Sequence, residues 1–238
     1  FDIINGDTFN GNDFKLTKTG GSQFVFNDCG ETYIGDIDVA VGELTFQQSA
    51  TMGDANKSAI VESNAMLDFW AGSATFVKSN ITLINATLGS GGSANTLDAK
   101  ITLMPGTNYI STSVDFYLDG PVVGTGGFIK QGGGTLWLAG ANTYSGPTTI
   151  GQNSTVSVES GSSLGSSSPI EIDGGSTLDV SAPATFSFVA GQTLVGNGAL
   201  KGGNVSFDSG STLSVGFDGI TATLNATGNL TLQTGSTN

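Results

Sequence analysis

Carboxylates are the residues of this sequence best suited to acid–base chemistry, and there are 20 of them. Short alternating segments turn six outward, namely Asp68, Asp115, Asp119, Glu171, Asp173 and Asp179. If coiling brought two of these onto one face about 5 Å apart, they could act as the general acid and nucleophile of a glycosidase. A polysaccharide-acting glycosidase is therefore one hypothesis, and the simpler interpretation is that these acids are solvated groups that keep the chain soluble.

The same carboxylates are hard oxygen ligands of the kind that calcium prefers. Acids stand two positions apart, on one face of an extended strand, in Asp36–Asp38 and Glu171–Asp173, and a further acidic stretch, Asp2–Asp7, has acids at both ends. Neither an EF-hand loop nor the Gly-Gly-x-Gly-x-Asp calcium repeat occurs. We expect no cofactor, with a structural calcium ion as the open alternative.

Several kinds of chemistry are excluded because the sequence contains no His and no Arg. A Ser-His-Asp or Cys-His relay needs an imidazole, and a bidentate clamp on phosphate or carboxylate needs a guanidinium. The net charge of −13 repels nucleic acid and anionic lipid. No uncharged apolar run of about 18 residues is present, so we expect no nucleic-acid partner and no membrane insertion.

Cys29 is the only cysteine, so no intrachain disulfide can form. It lies between Asp28 and Glu31, and nearby acids raise the pKa of a thiol. We therefore expect a packed, unreactive side chain. The chain starts at Phe1 with no basic and apolar leader, which fits a mature secreted product from which a signal has been removed.

Three aromatic side chains are candidates for contact with a partner: Trp137, Trp70 and Tyr117. Trp137 falls between two inward leucines and should point outward, and the other two are expected to do the same. Exposed rings of this kind could stack on sugar faces, bury against another subunit, or pack under a neighbouring loop. The sequence leaves these three alternatives open.

The elements that would position these residues follow from a short repeated unit, in which Thr or Ser precedes two inward apolar residues that flank an outward one. The unit occurs at residues 134–138, 154–158, 176–180 and 211–215, and in shifted form at 229–232. From Leu136 to Val156 is 20 positions, and from Val156 to Leu178 is 22. The period is near 20 residues, with room for insertions, and a period in this range is the signature of a solenoid.

One coil of about 20 residues holds two or three short strands, each of which buries alternate side chains. Glycines such as Gly132, Gly133 and Gly134 supply the corners between strands. The sequence thus predicts an all-β solenoid with little or no helix. The predicted inward stack consists of Leu136, Leu138, Val156, Val158, Leu178, Val180, Leu213 and Val215.

Residues 128–150 carry a further signal. The strand Thr135–Leu138 is followed by a corner rich in Gly, Asn, Ser and Pro, and another strand begins at Thr148. This stretch, most clearly within 124–165, resembles the autotransporter-associated β-strand repeat of secreted bacterial surface proteins. The resemblance implies a right-handed parallel β-helix located outside the cell, on the bacterial surface. It names neither a ligand nor a reaction.

We expect one continuous domain. Residues 1–20 form an N-terminal arm or a first irregular coil, residues 21–123 form irregular solenoid coils, and residues 124–238 form regular repeats.

The first functional prediction is an extracellular, non-enzymatic structural solenoid that builds a surface fibre or matrix by head-to-tail association. A solenoid has two ends that expose apolar side chains and strand edges, so self-association is the expected partnership. The candidate end-to-end contacts are Ile3, Ile4, Phe9, Leu230 and Leu232. The alternative is an autotransporter-like adhesin passenger fragment that binds glycan or a host surface, and the glycosidase is third.

Overall fold

A computed structural model describes residues 2–4, 9–30, 32–151, 153–216 and 222–237, with side chains from residue 9 onward. In this part of the chain the backbone forms 24 strands and no helix. In chain order the strands are β1 (Asp2–Ile4), β2 (Leu16–Lys18), β3 (Gln23–Asn27), β4 (Ile37–Val39), β5 (Glu43–Gln47), β6 (Ser58–Val61), β7 (Met66–Ala71), β8 (Thr75–Leu83), β9 (Thr87–Gly92), β10 (Asn95–Leu103), β11 (Thr107–Thr112), β12 (Phe116–Leu118), β13 (Val122–Gly124), β14 (Gly127–Gln131), β15 (Thr135–Leu138), β16 (Thr148–Ile150), β17 (Thr155–Val158), β18 (Ile170–Ile172), β19 (Thr177–Val180), β20 (Phe186–Phe188), β21 (Thr193–Gly196), β22 (Ala199–Phe207), β23 (Thr212–Val215) and β24 (Asn225–Leu232).

The strands form two long sheets whose neighbours are all parallel. The first sheet has 11 strands, in the order β1-β3-β5-β7-β9-β11-β14-β16-β18-β21-β23. The second has 13, with β2-β4-β6-β8-β10-β12-β15-β17-β19-β22-β20 as its main path and β13 and β24 paired beside it. Successive strands alternate between the sheets, except that β12 and β13, and likewise β19 and β20, both belong to the second sheet. Each turn of the chain thus adds a layer to both sheets, at about 21 residues per turn over about ten turns. The predicted β-solenoid and its period are confirmed.

The second sheet bends within its longest strands. The first half of β10 pairs with β12, and its second half, after a register shift between Asp98 and Lys100, pairs with β13. The strand β22 likewise pairs with β19 through one half and with β20 through the other. These bends give the coil a third side.

Inward side chains stack in columns along the tube and form one continuous core. Leu136 pairs with Val156 and Val156 with Leu178, as the repeat predicts, and all three are buried. Such columns form because parallel strands in register place like positions one above another. Phenylalanines extend the core toward the N-terminus, where Phe26 and Phe46 stack with ring centroids 5.3 Å apart.

Two members of the predicted stack lie elsewhere. Leu178 is followed in its column by Leu200, whereas Leu213 lies in the first sheet above Leu194. Val215 is 49% exposed and is not part of the core. The prediction failed here because every side of the coil has the same alternation of inward and outward residues, so the repeated unit does not reveal which sheet it joins.

Three lysines, Lys18 in β2, Lys78 in β8 and Lys130 in β14, are buried and extend their amines to corners of the coil. Lys130 occupies a core column between Ile110 and Ile150, and its amine donates hydrogen bonds of 2.9 Å to the carbonyls of Gln131 and Gly132. Lys78 donates 2.8 Å bonds to two corner carbonyls in the same way. These amines satisfy backbone carbonyls where the chain turns and no strand neighbour is available.

Cys29 is buried and free, as predicted. Burial is the main cause of the raised pKa of its thiol, with a smaller contribution from the charge of Asp28. Among the described residues, no helix is long and apolar enough to cross a membrane.

Candidate binding surface

The most exposed of the candidate aromatic residues is Trp70, on the outer face of the first sheet. In its strand, β7, Leu67 and Phe69 are buried in the core, whereas the side chains of Asp68 and Trp70 lie on the outer face. Because the flanking inward residues fix the register of the strand, the outward position of the indole is set by the core. Trp70 is 48% exposed.

Glycines on the next strand leave room for these outward side chains. In β9, Gly89 pairs with Asp68 and Gly91 pairs with Trp70. A Cβ atom at Gly91 would overlap the six-membered ring of Trp70, and one at Gly89 would overlap the carboxylate of Asp68. Trp70 and Asp68 therefore lie down across β9 and do not stand away from the sheet.

An open pocket of about 260 Å³ surrounds these two side chains. It crosses five adjacent strands of the first sheet, from β3 to β11. Its lining consists of Gln23, Glu43, Met66, Asp68, Trp70, Ser90, Gly91, Ser111 and Ser113. We call it the Trp70 pocket.

Hydrogen bonds hold Glu43 at the edge of the Trp70 pocket. Its Oε1 accepts a 2.8 Å bond from Nε2 of Gln23 and a 2.9 Å bond from the hydroxyl of Thr45. Nε2 of Gln23 also donates to the hydroxyl of Thr45 at 3.0 Å. This arrangement fixes one oxygen of the carboxylate, and no described residue donates to Oε2 of Glu43.

Asp68 is the electrostatically unusual group of the pocket. Its side chain faces outward, yet only 6% of the residue is exposed. Burial raises the pKa of Asp68 to about 6, the charge of Glu43 adds to the increase, and the backbone N–H of Phe69 opposes it by donating a hydrogen bond. No side chain in the described part of the chain donates to this carboxylate, and the pocket lining includes no lysine.

The other two candidate aromatic residues lie on the second sheet. Tyr117 in β12 pairs with Trp137 in β15, and their rings stack at 5.5 Å with an interplanar angle of 11°. Both are half-buried, and Nε1 of Trp137 is buried without a hydrogen-bond partner among the described residues. The structure thus joins Trp137 with Tyr117 by packing and places Trp70 on a separate surface, so the three rings do not form one strip.

The candidate end-to-end residues are distributed between the two ends. The backbones of Ile3 and Ile4 pair with β3, and their side chains lie outside the described part. Phe9 packs edge-to-face against Phe26, with ring centroids 5.0 Å apart. Leu230 and Leu232 in β24 are 41% and 45% exposed and pair with Val205 and Phe207 of β22.

The six outward acids predicted from the sequence do not meet at one site. Asp68 and Glu171 lie on the first sheet at β7 and β18, several turns apart, and Asp179 lies on the second sheet in an ion pair with Lys201 at 2.7 Å. Asp38 likewise pairs with Lys15 at 2.7 Å. Among the described residues, no three His, Cys, Asp or Glu side chains are grouped so that they could hold a metal ion. The expectation of no cofactor, with a structural calcium ion as the alternative, stays a prediction.

Sequence reasoning found Trp70 and Asp68 but missed the residues that complete their surroundings. Glu43 lies 25 positions before Asp68, so only the register of β5 and β7 brings the two together. One local signal was present, because Gly89 and Gly91 occupy alternate positions of a strand. Glycine in a strand often marks a close approach of other groups.

Comparison with known proteins agrees with the fold. A family model described as Passenger-associated-transport-repeat matches residues 128–153. Over 141 residues, which is 58% of this chain, the sequence is 30% identical to the Adhesin BmaC autotransporter of Brucella suis biovar 1 (strain 1330). The match spans 4% of the length of that protein. No solved structure matches the chain.

The matched repeat covers β15, the corner after it and β16, the same stretch in which the sequence shows its clearest strand–corner–strand pattern. On these grounds, the chain carries a passenger-associated transport repeat within a β-solenoid and resembles the passengers of bacterial autotransporters.

Proposed function

We propose that this chain is a segment of an adhesin-like autotransporter passenger, a secreted or cell-surface protein whose solenoid displays a binding surface for glycan or host tissue. The passenger repeat and the name of the similar Brucella protein support this role. The single observation that assigns this role to particular residues is the Trp70 pocket, in which an exposed indole lies among polar groups on a rigid sheet.

A binding role suits the chemistry of this pocket better than a catalytic one. Trp70 offers a large apolar surface at low cost in conformational entropy, which is a general property of tryptophan at interfaces. The one carboxylate pair of the pocket, Glu43 and Asp68, has no described basic side chain beside it to assist a reaction. We therefore propose a non-enzymatic protein.

The test is adhesion. Beads coated with the purified chain are applied to cultured host cells and to extracellular-matrix proteins, and bound beads are counted. We expect adhesion by the wild type and its loss in Trp70→Ala. Ile60→Ala is the matched control, because Ile60 is an exposed apolar residue on the second sheet, and it should adhere like the wild type. Absence of wild-type adhesion on every surface would overturn the proposal.

A second candidate function is a surface fibre or matrix built by head-to-tail association. The observation that favours it is the exposure of Leu230 and Leu232 on β24, which has β22 as its one strand partner among the described residues. A strand edge with exposed apolar side chains can pair with another chain, and a contact between unlike ends propagates without closing.

Negative-stain electron microscopy over a concentration series, with and without calcium, tests this second function. Uniform filaments that disappear in a Leu230→Lys, Leu232→Lys double variant would support it. Short rods of uniform length at all concentrations would exclude it and leave the adhesin proposal in place.

A further inference from the structure

We propose that the Trp70 pocket is a carbohydrate subsite that binds one pyranose ring of an uncharged glycan, with the ring stacked on the indole and its hydroxyls donating to Glu43 and Asp68. This inference rests on the proposed function and adds to it the class of ligand and the position of the site.

The platform for the sugar is the indole of Trp70, held down by two glycines. Atoms of its six-membered ring lie over Gly91, and Cδ1 lies close to Gly92, so the indole spans both positions of β9. One side of the ring system is therefore occupied by backbone. The 48% of Trp70 that stays exposed presents an apolar surface on which the C–H face of a pyranose can lie.

The polar side of the subsite is made of carboxylates with few hydrogen-bond donors from the described residues. Oε2 of Glu43 receives no hydrogen bond from the described residues, and the carboxylate of Asp68 receives one only from the N–H of Phe69. A ligand rich in hydroxyl donors can hydrogen-bond to these acceptors in place of water. The hydroxyls of Ser111 and Ser113, across the pocket on the far side of β9, can both donate and accept.

Charge determines which glycans fit. Two carboxylates line the pocket and the whole chain carries a net charge of −13, so uronic acids, sialic acids and sulfated sugars are repelled. A basic peptide would satisfy the carboxylates. Its cationic groups could also stack on the indole and donate to the serine hydroxyls. Unlike a sugar, however, they carry no hydroxyl that could accept a hydrogen bond from those serines. The combination of ring, acceptors and hydroxyls favours a neutral sugar.

The experiment is a glycan array that carries neutral, amino and acidic glycans, followed by titration calorimetry with the best neutral oligosaccharide. We expect binding to neutral glycans and none to acidic ones. Trp70→Ala should weaken binding about tenfold or more, as expected for loss of a central aromatic contact, and Trp70→Phe should restore part of it. Glu43→Gln, which retains an acceptor, should weaken it less than Glu43→Ala.

Gly91→Val provides a sharper test, because it removes none of the side chains that would contact the sugar. The added side chain only displaces the indole of Trp70 from β9. It should weaken binding as much as Trp70→Ala, whereas Ile60→Ala should not change it. The chain holds two tryptophans, so in a Trp137→Phe background the emission of Trp70 reports directly on the site. Binding of the neutral glycan should shift that emission to shorter wavelength.

Three outcomes would overturn the subsite: binding limited to acidic glycans, neutral-glycan binding unchanged in Trp70→Ala, or binding of an oligolysine peptide but of no glycan. These outcomes are separable from failure of the proposed function. Beads that adhere to host cells while the array stays blank leave the adhesin role standing without this subsite. If a neutral glycan binds at Trp70 but the beads do not adhere, the carbohydrate subsite is supported and the adhesin function is not.

Discussion

Asp68 lies with its carboxyl group over Gly89 and beside Glu43, and its pKa near 6 makes it sensitive to pH in the mildly acidic range. The folded chain holds this proton more tightly than the unfolded chain does, since an ordinary Asp has a pKa of 3.8. The contribution of Asp68 to stability is therefore greatest below about pH 4 and is lost as the pH rises through 6. At neutral pH the burial of its charge opposes folding.

We predict that Asp68→Asn stabilises the chain at pH 7.5 by about 1–3 kcal/mol and changes little at pH 4. Unfolding midpoints in urea measured from pH 4 to 8 provide the test. Asp36→Asn is a control for which we expect the opposite change in stability. Hydrogen bonds from Ser58 lower the pKa of Asp36, so removal of this carboxylate should cost stability at neutral pH. Parallel pH profiles for the wild type and Asp68→Asn would show that this carboxylate is not desolvated.

At the scale of the element, the corners of the coil depend on buried amines. Burial lowers the pKa of Lys130 to about 8, from an ordinary value of 10.5. Between these values the unfolded chain binds more protons than the folded one, so stability rises with pH through that window. Below about pH 8 the amine is charged in both states and the cost of its burial is present in full.

Lys130→Met should accordingly flatten the increase of thermal stability between pH 8 and 10. Lys78 has a similarly lowered pKa, so part of the slope should persist in the single variant and vanish in the double variant with Lys78→Met. Lys100→Met is the matched control, since Lys100 is exposed in β10, and its slope should equal that of the wild type. Equal slopes for Lys130→Met and the wild type would contradict the burial of the Lys130 amine.

The columns of buried side chains lead to a second prediction about the strands. Leu178 is buried between Val156 and Leu200, so Leu178→Asp places an unpaired charge in the core at a cost of several kcal/mol. Val215→Asp makes the same chemical change at a position that is 49% exposed. We expect limited proteolysis to digest the first variant and to leave the second resistant. Resistance of Leu178→Asp would show that the register is wrong.

These two residues also show what the sequence can determine. The alternation of residues 135–138 and their distance from 155–158 predicted strands, period and stacking, because one coil repeats the pattern of the one before it. The side of the coil was not predictable for Leu213 and Val215, since insertions between strands shift a unit from one sheet to the other. The neighbours of Trp70 were invisible for a related reason: Glu43 and Gly91 reach it from adjacent coils, through pairing that no local pattern encodes.

At the scale of the whole molecule, all the strand pairing in the described part of the chain joins neighbouring coils, and a few longer contacts, such as that from Lys78 to Gly35, reach one coil further. Stability in such an array is approximately a sum over coils and their interfaces, so it need not be uniform along the rod. The central strands, such as β15 and β17, have strand neighbours on both sides and buried alternate residues. In contrast, every residue of β24 is exposed, and within the described part of the chain it pairs with β22 alone.

We therefore predict a gradient of amide hydrogen exchange along the rod, slowest in β15–β17 and fastest in β24. Leu232→Lys should accelerate exchange in β24 and its partner β22 and leave β15 unchanged, because coupling between coils decays with distance in a one-dimensional array. Mass spectrometry of peptic peptides after timed labelling measures this directly. The same experiment reports on end-to-end association, since a partner seated on β24 would protect it as the protein concentration rises. Uniform exchange across all strands would mean that the solenoid unfolds as a single cooperative unit, and that the coils near the Trp70 pocket owe their rigidity to the whole rod.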